Sequence, residues 1–224
     1  RAYELLADER SREVFLDTVR FKLSGRLKYL RNSESGKDEV FENILRPGAD
    51  EHFSDLGAHN GDTIRELLHY TDGRFASVTA LEPDRRSFRK LNEWASANIE
   101  GDVTLVQAGA WDRDEIRCFS DQAGRQSHVA NKGRETQMRA LDSVLSGRPC
   151  TYLKMDVEGA EREAIAGAEK TIRQYAPKLN IAAYHRSEDF FQLPLLIHAL
   201  QPSYRLYLRH HPYVPAWDTN LYAI

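Results

Sequence analysis

The stretch "FSDLGAHNGDT", residues 53–63, decides the fold. Apolar residues lead into Asp55, glycines follow at Gly57 and Gly61, and a helical pattern begins near Asp62. In open α/β sheets, ligands bind where the carboxyl end of a strand turns into a helix. Glycine permits a positive φ at such a turn, and it lets a ligand approach the backbone closely. We therefore expect a strand, a ligand-binding turn and a helix in this stretch.

Further apolar runs alternate with helical patterns along the rest of the chain. They read "SVTALE", "VTLVQA", "TYLKMDV" and "LNIAAYH", and the third leads into a helix predicted from Gly159 to about Gln174. Repeated strand–helix alternation predicts a parallel sheet covered on both faces. The final runs "YRLYLR" and "NLYAI" lie too close together for a crossover helix, so they predict an antiparallel pair. The predicted fold class is α/β, a doubly wound, mostly parallel, Rossmann-like sheet with a C-terminal antiparallel hairpin. Residues 115–130 are less regular and predict a short hairpin or a loop.

Residues 1 to about 31 are charged and helical in pattern, with a break expected at Ser24-Gly25. Apolar residues recur there at three- and four-residue steps, which predicts one apolar stripe: Leu16, Val19, Leu23, Leu27 and Leu30. We expect the stripe to pack against the domain or against a second subunit, as in a homodimer. A lid over the substrate is the alternative. The predicted organisation is an N-terminal helical extension, residues 1–45, followed by a cofactor-binding domain, residues 46–224.

The composition excludes several classes of protein. The 224 residues carry 31 basic and 34 acidic side chains, well mixed, with a net charge of −3. No large positive field is available for a polyanion, so a nucleic acid partner is not expected. The two cysteines have no metal-type spacing, and no apolar run approaches the ~18 residues that span a bilayer. We expect a soluble, cytoplasmic protein. His210, His211 and Tyr213, in "YRLYLRHHPYVP", are weighed as contacts to a polyhydroxylated substrate rather than to nucleic acid.

The turn and a later acid indicate the kind of cofactor. Glu82 ends the second predicted strand, 25 residues after Gly57, where an acid typically binds ribose hydroxyls. The turn lacks the full G-x-G-x-x-G pattern and a Walker-type lysine, and Asp55 and Asp62 would repel a pyrophosphate. A nucleoside without a pyrophosphate, S-adenosylmethionine, fits better. An NAD-dependent oxidoreductase and a non-catalytic subunit with a cofactor-binding fold are the alternatives.

Several motifs together resemble a known family. "FSDLGAHNGDT", "ALEPD", "RALDSVL" and above all "YLKMDVEGAEREAIAGAEKTI" are similar to the FkbM-type family of S-adenosylmethionine-dependent methyltransferases. The resemblance implies a class I methyltransferase fold and O-methylation of a hydroxyl on a sugar, glycan or other natural product. It also implies roles for individual residues, in three groups. The turn around the methionine part of the cofactor would contain Asp55, Gly57, Ala58, His59, Asn60 and Gly61. Glu82 would hold the ribose, and Gln107 and Ala108 would border the adenine. Asp156 would lie near the methionine amine and the methyl group.

Two residues are candidates for the general base that deprotonates an acceptor hydroxyl. Asp156 and His185 each end a predicted strand, and the near-neutral titration of histidine suits proton removal. His185 could instead only cap its strand, and Glu158 could only stabilise a helix N-terminus. Asp156, Glu158 and His185 could also form an oxygen and nitrogen ligand set for Mg²⁺ or Mn²⁺. Their spacing does not establish such a site, and no metal is predicted.

Overall fold

The computed structural model describes residues 1–119, 134–212 and 218–224. Its α-helices, in chain order, are α1 (Ala2–Leu5), α2 (Glu9–Ser24), α3 (Lys28–Ser33), α4 (Lys37–Val40), α5 (Asp62–Tyr70), α6 (Arg85–Asn98), α7 (Leu141–Leu145), α8 (Glu161–Ala166), α9 (Glu169–Tyr175) and α10 (Asp189–Leu200). A π-helical segment, Phe41–Leu45, follows α4. The strands are β1 (His52–Leu56), β2 (Ser77–Leu81), β3 (Val103–Val106), β4 (Gly109–Ala110), β5 (Glu115–Phe119), β6 (Arg134–Arg139), β7 (Tyr152–Met155), β8 (Lys178–Ala182), β9 (Leu206–His210) and β10 (Thr219–Ala223). Within the described residues, no helix is both long and apolar enough to cross a membrane.

The chain forms two compact units. The central unit is Pro47–Pro177, and the outer unit combines Arg1–Arg46 with Lys178–Ile224. The central unit holds four strands of the main sheet in the order β3-β2-β1-β7, all parallel. Each of the strands predicted in this region is confirmed, as is the start of α5 at Asp62.

Apolar side chains of the strands and helices form the core of the central unit. Phe53 and Tyr152 are register partners on β1 and β7, and their ring centroids lie 4.8 Å apart. On α5, Ile64 and Leu67 are fully buried. Burying each such side chain contributes about 1.5–3 kcal/mol, so the apolar face of α5 stabilises the central unit. Leu91 of α6 is buried in the same way.

The helix predicted from Gly159 to about Gln174 is interrupted, so the prediction of one continuous helix is wrong. The interruption lies at Gly167, where a Cβ atom would stand 1.9 Å from the Trp111 carbonyl oxygen. After it, Asp142 accepts hydrogen bonds from the backbone amides of Lys170 and Thr171, both at 2.9 Å. A carboxylate that accepts from the first free amides of a helix stabilises its start, so α9 begins as a separate helix.

A small second sheet lies in the same unit, in the order β4-β6-β5. β5 pairs antiparallel with β6, while β4 pairs parallel with β6. Of the region predicted as a hairpin or loop, residues 115–119 therefore form a strand, and residues 120–130 lie outside the described residues. Trp111, Met138 and Ala160 form a buried cluster beside this sheet.

In the outer unit, β10 lies between β8 and β9 and is antiparallel to both. The predicted antiparallel hairpin is confirmed, with Leu208 opposite Leu221. The N-terminal helices belong to this unit, because Leu6 and Glu34 form parallel bridges to Leu206 and His210 of β9. The predicted boundary after residue 45 remains a prediction.

Arg209 of β9 joins three N-terminal residues. It is 2% exposed, and its guanidinium donates to Asp8 Oδ2 at 2.6 Å, Glu39 Oε2 at 3.0 Å and Ser11 Oγ at 2.9 Å. Asp8 also caps α2 by accepting from the Ser11 amide at 2.8 Å. Burial opposes the charge of Asp8, but Arg209 and Ser11 outweigh it and lower its pKa to about 2. The network therefore fixes the N-terminal helices to the C-terminal strands.

The apolar stripe does not pack as expected. Leu30 is buried, but Leu16, Leu23 and Leu27 are 40%, 84% and 47% exposed. The prediction that these three pack against the rest of the domain is wrong for this chain. The predicted break is confirmed, because α2 ends at Ser24 and Gly25 adopts a φ of 67°. Packing against a second subunit remains a prediction.

The two neighbouring histidines of the last hairpin do not face a substrate, contrary to the expectation. Both are 2% exposed. The His210 ring bonds Thr219 Oγ1 at 2.9 Å, and the His211 ring bonds the Ser35 carbonyl and the Tyr222 hydroxyl at 2.9 and 2.8 Å. Burial lowers the pKa of His210. Both histidines therefore form hydrogen bonds in the interior of the outer unit. Tyr213 lies outside the described residues.

Candidate functional site

The central unit aligns the carboxyl ends of its four parallel strands. Leu56 lies opposite Leu81 and Met155, and Leu81 lies opposite Val106. The residues that immediately follow these four in sequence are Gly57, Glu82, Gln107 and Asp156. All four had been predicted as site residues from the sequence. We call this set the strand-end row.

Backbone hydrogen bonds keep the row together beyond the strands. The Gly57 amide donates to the Leu81 carbonyl at 3.0 Å, and the Asp156 amide donates to the Leu56 carbonyl at 2.9 Å. The Glu82 amide donates to the Val106 carbonyl at 3.1 Å. Gly57, Glu82 and Asp156 are thereby each tied to a neighbouring strand. The spacing of Gly57 and Glu82 and the family resemblance predicted the members of the row, and the strand register explains why they meet.

Gly57 is required by the protein backbone itself. Its φ is +82°, and a Cβ atom there would lie 1.9 Å from the Asp156 carbonyl oxygen. The sequence pattern suggested that this glycine admits a ligand, but the group that approaches it closely is the Asp156 carbonyl, just beyond the end of β7. Gly61 also has a positive φ, +85°, and a Cβ atom there would lie 2.9 Å from the Trp94 ring.

The amides of the turn between these glycines are largely used within the protein. Gly57 and Ala58 both donate to the Leu81 carbonyl at 3.0 Å, and Gly61 donates to the Ala58 carbonyl at 2.8 Å. The His59 amide donates to Glu82 Oε2 at 2.7 Å. A phosphate-binding turn needs such amides free to face the ligand. The bonding of this turn is therefore unsuited to cradling a pyrophosphate.

Glu82 is 6% exposed and accepts two backbone hydrogen bonds. Its Oε2 accepts from His59, and its Oε1 accepts from the Asp84 amide at 2.8 Å. Burial raises the pKa of Glu82 to about 7, against the opposing effect of the two amides. Each carboxylate oxygen has a further lone pair, so both can still accept a hydrogen bond from a ligand hydroxyl.

Asp55 and Lys154 form a buried ion pair beneath the turn. They are register partners on β1 and β7, and Lys154 Nζ lies 3.0 Å from Asp55 Oδ1. The contact is not aligned as a hydrogen bond, whereas the same ammonium donates to the Gly57 carbonyl at 2.8 Å. Burial raises the pKa of Asp55 to about 6, although Lys154 opposes this rise. Burial works against the charged form of Lys154, but Asp55 and Asp156 outweigh it and raise the pKa of Lys154.

Lys154 was not among the site residues predicted from the sequence. The signal was a charged side chain inside the otherwise apolar strand "YLKM", because a lysine is almost never buried without a partner. The ammonium holds both Asp55 and the first residue of the turn. Asp55 therefore has a structural partner within the protein, and its contact with a cofactor remains a prediction.

The other predicted residues of the turn and of the strand ends differ in exposure. Ala58 and Ala108 are buried, while His59 and Asn60 are half-buried and Gln107 is exposed. His59 has a φ of +46°, and within the described residues its buried Nδ1 has no hydrogen-bond partner. The Asn60 carbonyl accepts from Arg65 at 3.0 Å.

A tight turn follows Asp156. Glu158 and Gly159 have φ values of 55° and 92°. Glu161, which is 1% exposed, accepts from the Val157 and Gly159 amides at 3.1 and 3.4 Å. The last acid of "KMDVEGAE" therefore shapes the backbone beside Asp156. The role of Glu161 was not predicted from the sequence, because its hydrogen bonds depend on the conformation of the turn.

His185 belongs to the outer unit, just beyond the end of β8. Its ring packs on that of Tyr184, with centroids 4.3 Å apart. Its predicted role as a base remains a prediction. The alternative, a metal bound by Asp156, Glu158 and His185, also remains a hypothesis.

Comparison with known proteins supports the fold and indicates a family. Residues 55–215 match the model of the methyltransferase FkbM domain. Among solved structures, the chain is similar to a methyltransferase FkbM from Methylobacillus flagellatus KT, with a TM-score of 0.85 and 28% identity, over 100% of this chain and 57% of that one. The predicted α/β fold class is thus confirmed. The chain spans little more than half the length of this relative.

Two further solved structures are more distant. An rRNA methylase from Streptococcus thermophilus has a TM-score of 0.49 and 15% identity, over 79% of this chain and 87% of that one. Aeropyrum pernix fibrillarin, in complex with S-adenosyl-L-methionine, has a TM-score of 0.49 and 11% identity, over 81% of this chain and 69% of that one. No curated protein matches the chain.

Proposed function

Because the chain belongs to the FkbM methyltransferase family, we propose that it transfers a methyl group from S-adenosylmethionine to a hydroxyl of a sugar, glycan or other natural product. The observation that carries the proposal is the strand-end row, in which Glu82 and Asp156 lie at the aligned ends of parallel strands beside a turn whose amides are already used. This arrangement suits a cationic nucleoside better than a dinucleotide.

The residues of the row fit this cofactor by their chemistry. S-adenosylmethionine supplies a methyl group that its positively charged sulfur activates for transfer. Glu82 would accept hydrogen bonds from the ribose hydroxyls through its remaining lone pairs, and Gln107 with Ala108 would border the adenine. Asp156 would attract the ammonium group. The turn from Gly57 to Gly61 would line the methionine part.

The protein's own groups then have two further tasks. The ion pair of Lys154 with Asp55, together with its bond to the Gly57 carbonyl, holds the turn in place before any ligand binds. A base, for which Asp156 and His185 are the candidates, takes the proton of the acceptor hydroxyl as that oxygen attacks. Such a base contributes typically ~10²–10⁴-fold to the rate.

Ligand binding gives the first test. Titration calorimetry should show S-adenosylhomocysteine binding at micromolar concentrations, and a parallel fluorescence titration with NADH should show none. Preference for NADH would favour the oxidoreductase alternative. Absence of binding to either ligand, by protein with native circular dichroism, would favour the non-catalytic one.

Methyl transfer gives the second test. Labelled S-adenosylmethionine is offered with a panel of sugars, glycolipids and hydroxylated natural products, and products are identified by mass and by the position of the new methyl group. Methylation at nitrogen or carbon alone would contradict the proposed O-methylation. With an accepted substrate, His185→Ala should lower turnover by ~10²–10⁴-fold if it is the base, while binding of S-adenosylhomocysteine stays unchanged. His69→Ala, at an exposed histidine of α5, is the matched control.

A further inference from the structure

The turn between α2 and α3 combines exposed leucines with concentrated positive charge. Residues 20–31, "RFKLSGRLKYLR", contain five basic side chains and no acidic one, although the whole chain has a net charge of −3. We call residues 20–31 the basic tip. It belongs to the outer unit and shares no residue with the strand-end row.

The basic tip is an ordered turn. The Gly25 amide donates to the Phe21 carbonyl at 2.7 Å, and the Ser24 hydroxyl donates to the Arg20 carbonyl at 2.6 Å. Residues 22–28 are all exposed, and the leucines among them, Leu23 and Leu27, are 84% and 47% exposed. Local hydrogen bonds thus hold two apolar side chains in solvent.

The charges of the basic tip are largely uncompensated. Arg20 pairs with Asp17 at 2.9 Å. Within the described part of the chain, Lys22, Arg26 and Lys28 have no acidic partner. These three cations alternate with Leu23 and Leu27 along the exposed segment, so the same surface offers both positive charge and apolar area.

We propose that the basic tip docks on the surface of an anionic lipid bilayer. Clustered basic residues are attracted to acidic headgroups, and exposed leucines gain free energy when they enter the boundary between headgroups and acyl chains. A nucleic acid would satisfy the cations but would leave both leucines in water. The bilayer is the partner that uses both features, and the enzyme would rest on it without spanning it. This inference does not depend on the proposed methyl transfer.

Vesicle sedimentation tests the inference with the intact chain. Vesicles of neutral phosphatidylcholine are compared with vesicles containing 30% phosphatidylglycerol, at about 0.1 M salt where screening is moderate. We expect binding to the anionic vesicles, little binding to the neutral ones, and release at high salt. Because each basic residue near an anionic surface contributes about fivefold in binding, the variant Lys22→Gln/Arg26→Gln/Lys28→Gln should bind about a hundredfold more weakly.

Two further variants separate the contributions. Leu23→Ser/Leu27→Ser keeps every charge and should weaken binding by about tenfold or more for each leucine that enters the bilayer. The matched control Arg85→Gln/Arg86→Gln/Lys90→Gln removes the same charge from exposed positions of α6, outside the basic tip, and should bind within about threefold of the parent chain.

Three results would overturn the inference. One is equal sedimentation of the parent chain and the basic-tip variants, all with native circular dichroism. Another is binding that the α6 control loses as strongly as the basic-tip variant. The third is a concentration-dependent dimer, seen by light scattering and abolished by Leu23→Ser/Leu27→Ser, in a chain that does not bind vesicles; the leucines would then serve self-association.

Discussion

Lowering the pH should weaken cofactor binding through Glu82. The carboxylate must be ionised to accept hydrogen bonds from both ribose hydroxyls while it also accepts the His59 and Asp84 amides. Burial raises the pKa of Glu82 to about 7, so its ionised fraction falls within an accessible pH range. Since the apparent Kd is the intrinsic Kd divided by the competent fraction, the Kd for S-adenosylhomocysteine should rise about tenfold between pH 8 and pH 6.

Calorimetry at pH 8, 7 and 6 measures this dependence, and Glu82→Gln provides the control. The variant should bind more weakly at pH 8, because an amide nitrogen replaces one acceptor oxygen, and its Kd should vary little down to pH 6. Below that, Asp55, with its pKa raised by burial to about 6, adds its own dependence. A Kd of the parent chain that stays constant from pH 8 to pH 6 would refute the reasoning. So would an equal slope in the variant.

For folding stability, the Glu82 carboxyl group has the opposite effect: lowering the pH should raise the free energy of unfolding. The pKa of Glu82 rises on folding from 4.5 to about 7, so the folded state binds the proton more tightly. Its contribution to the free energy of unfolding is fully present below pH 4.5 and is lost as the pH rises through 7. Between pH 5 and pH 8, the parent chain should therefore lose up to about 3 kcal/mol relative to Glu82→Gln. Urea denaturation at both pH values, followed by circular dichroism, measures this difference. A constant difference would show that the charge of Glu82 is not the cause.

Three substitutions test contacts that stabilise the two units. Gly57→Ala should destabilise the fold by about 3 kcal/mol or more, because the new Cβ would overlap the Asp156 carbonyl oxygen. The control Gly25→Ala has a similar φ and nothing within 4 Å of the new Cβ, so it should cost only about 1 kcal/mol. Thermal melts compare the two variants, and equal costs would contradict the overlap. Arg209→Met should lower the free energy of unfolding by about 2–3 kcal/mol, measured by urea denaturation. This is less than the cost of breaking a fully buried ion pair, because the carboxylate partners of Arg209 are partly exposed. The control Arg205→Met, at an exposed position, should cost less than about 0.5 kcal/mol. Asp142→Ala should lower the free energy of unfolding by about 1–2 kcal/mol through loss of the α9 cap, and a neutral effect would show that the helix begins without it.

Periodicity predicted the elements well, because it reports which side chains are buried. The run "SVTALE" gave a strand, and "YRLYLR" with "NLYAI" gave an antiparallel pair, as found. It failed for the helix after Gly159. The interruption at Gly167 depends on the Trp111 backbone, which is distant in sequence, and no local pattern contains such a contact.

The candidate site was predictable from the ends of the predicted strands together with the resemblance to the FkbM-type family. Glu82, Gln107 and Asp156 follow apolar runs, and the register of the parallel strands brings them together. The partners of the site residues were not predictable, since they depend on packing. Examples are Lys154, whose ammonium pairs with a register neighbour, and Glu161, which shapes the turn beside Asp156. The apolar stripe shows the opposite limit, because a helical pattern identifies an apolar face without identifying what covers it.

The network of Arg209 determines when the outer unit can form during synthesis. Asp8 and Arg209 are 201 residues apart, and at ~5–20 residues per second a ribosome needs about 10–40 s to add that length of chain. Over that interval the central unit, which is continuous from Pro47 to Pro177, emerges completely and can fold. The N-terminal helices are synthesised before the central unit, but β9, against which they pack, is synthesised after it. We therefore expect the nascent outer unit to remain incomplete for longer than the nascent central unit.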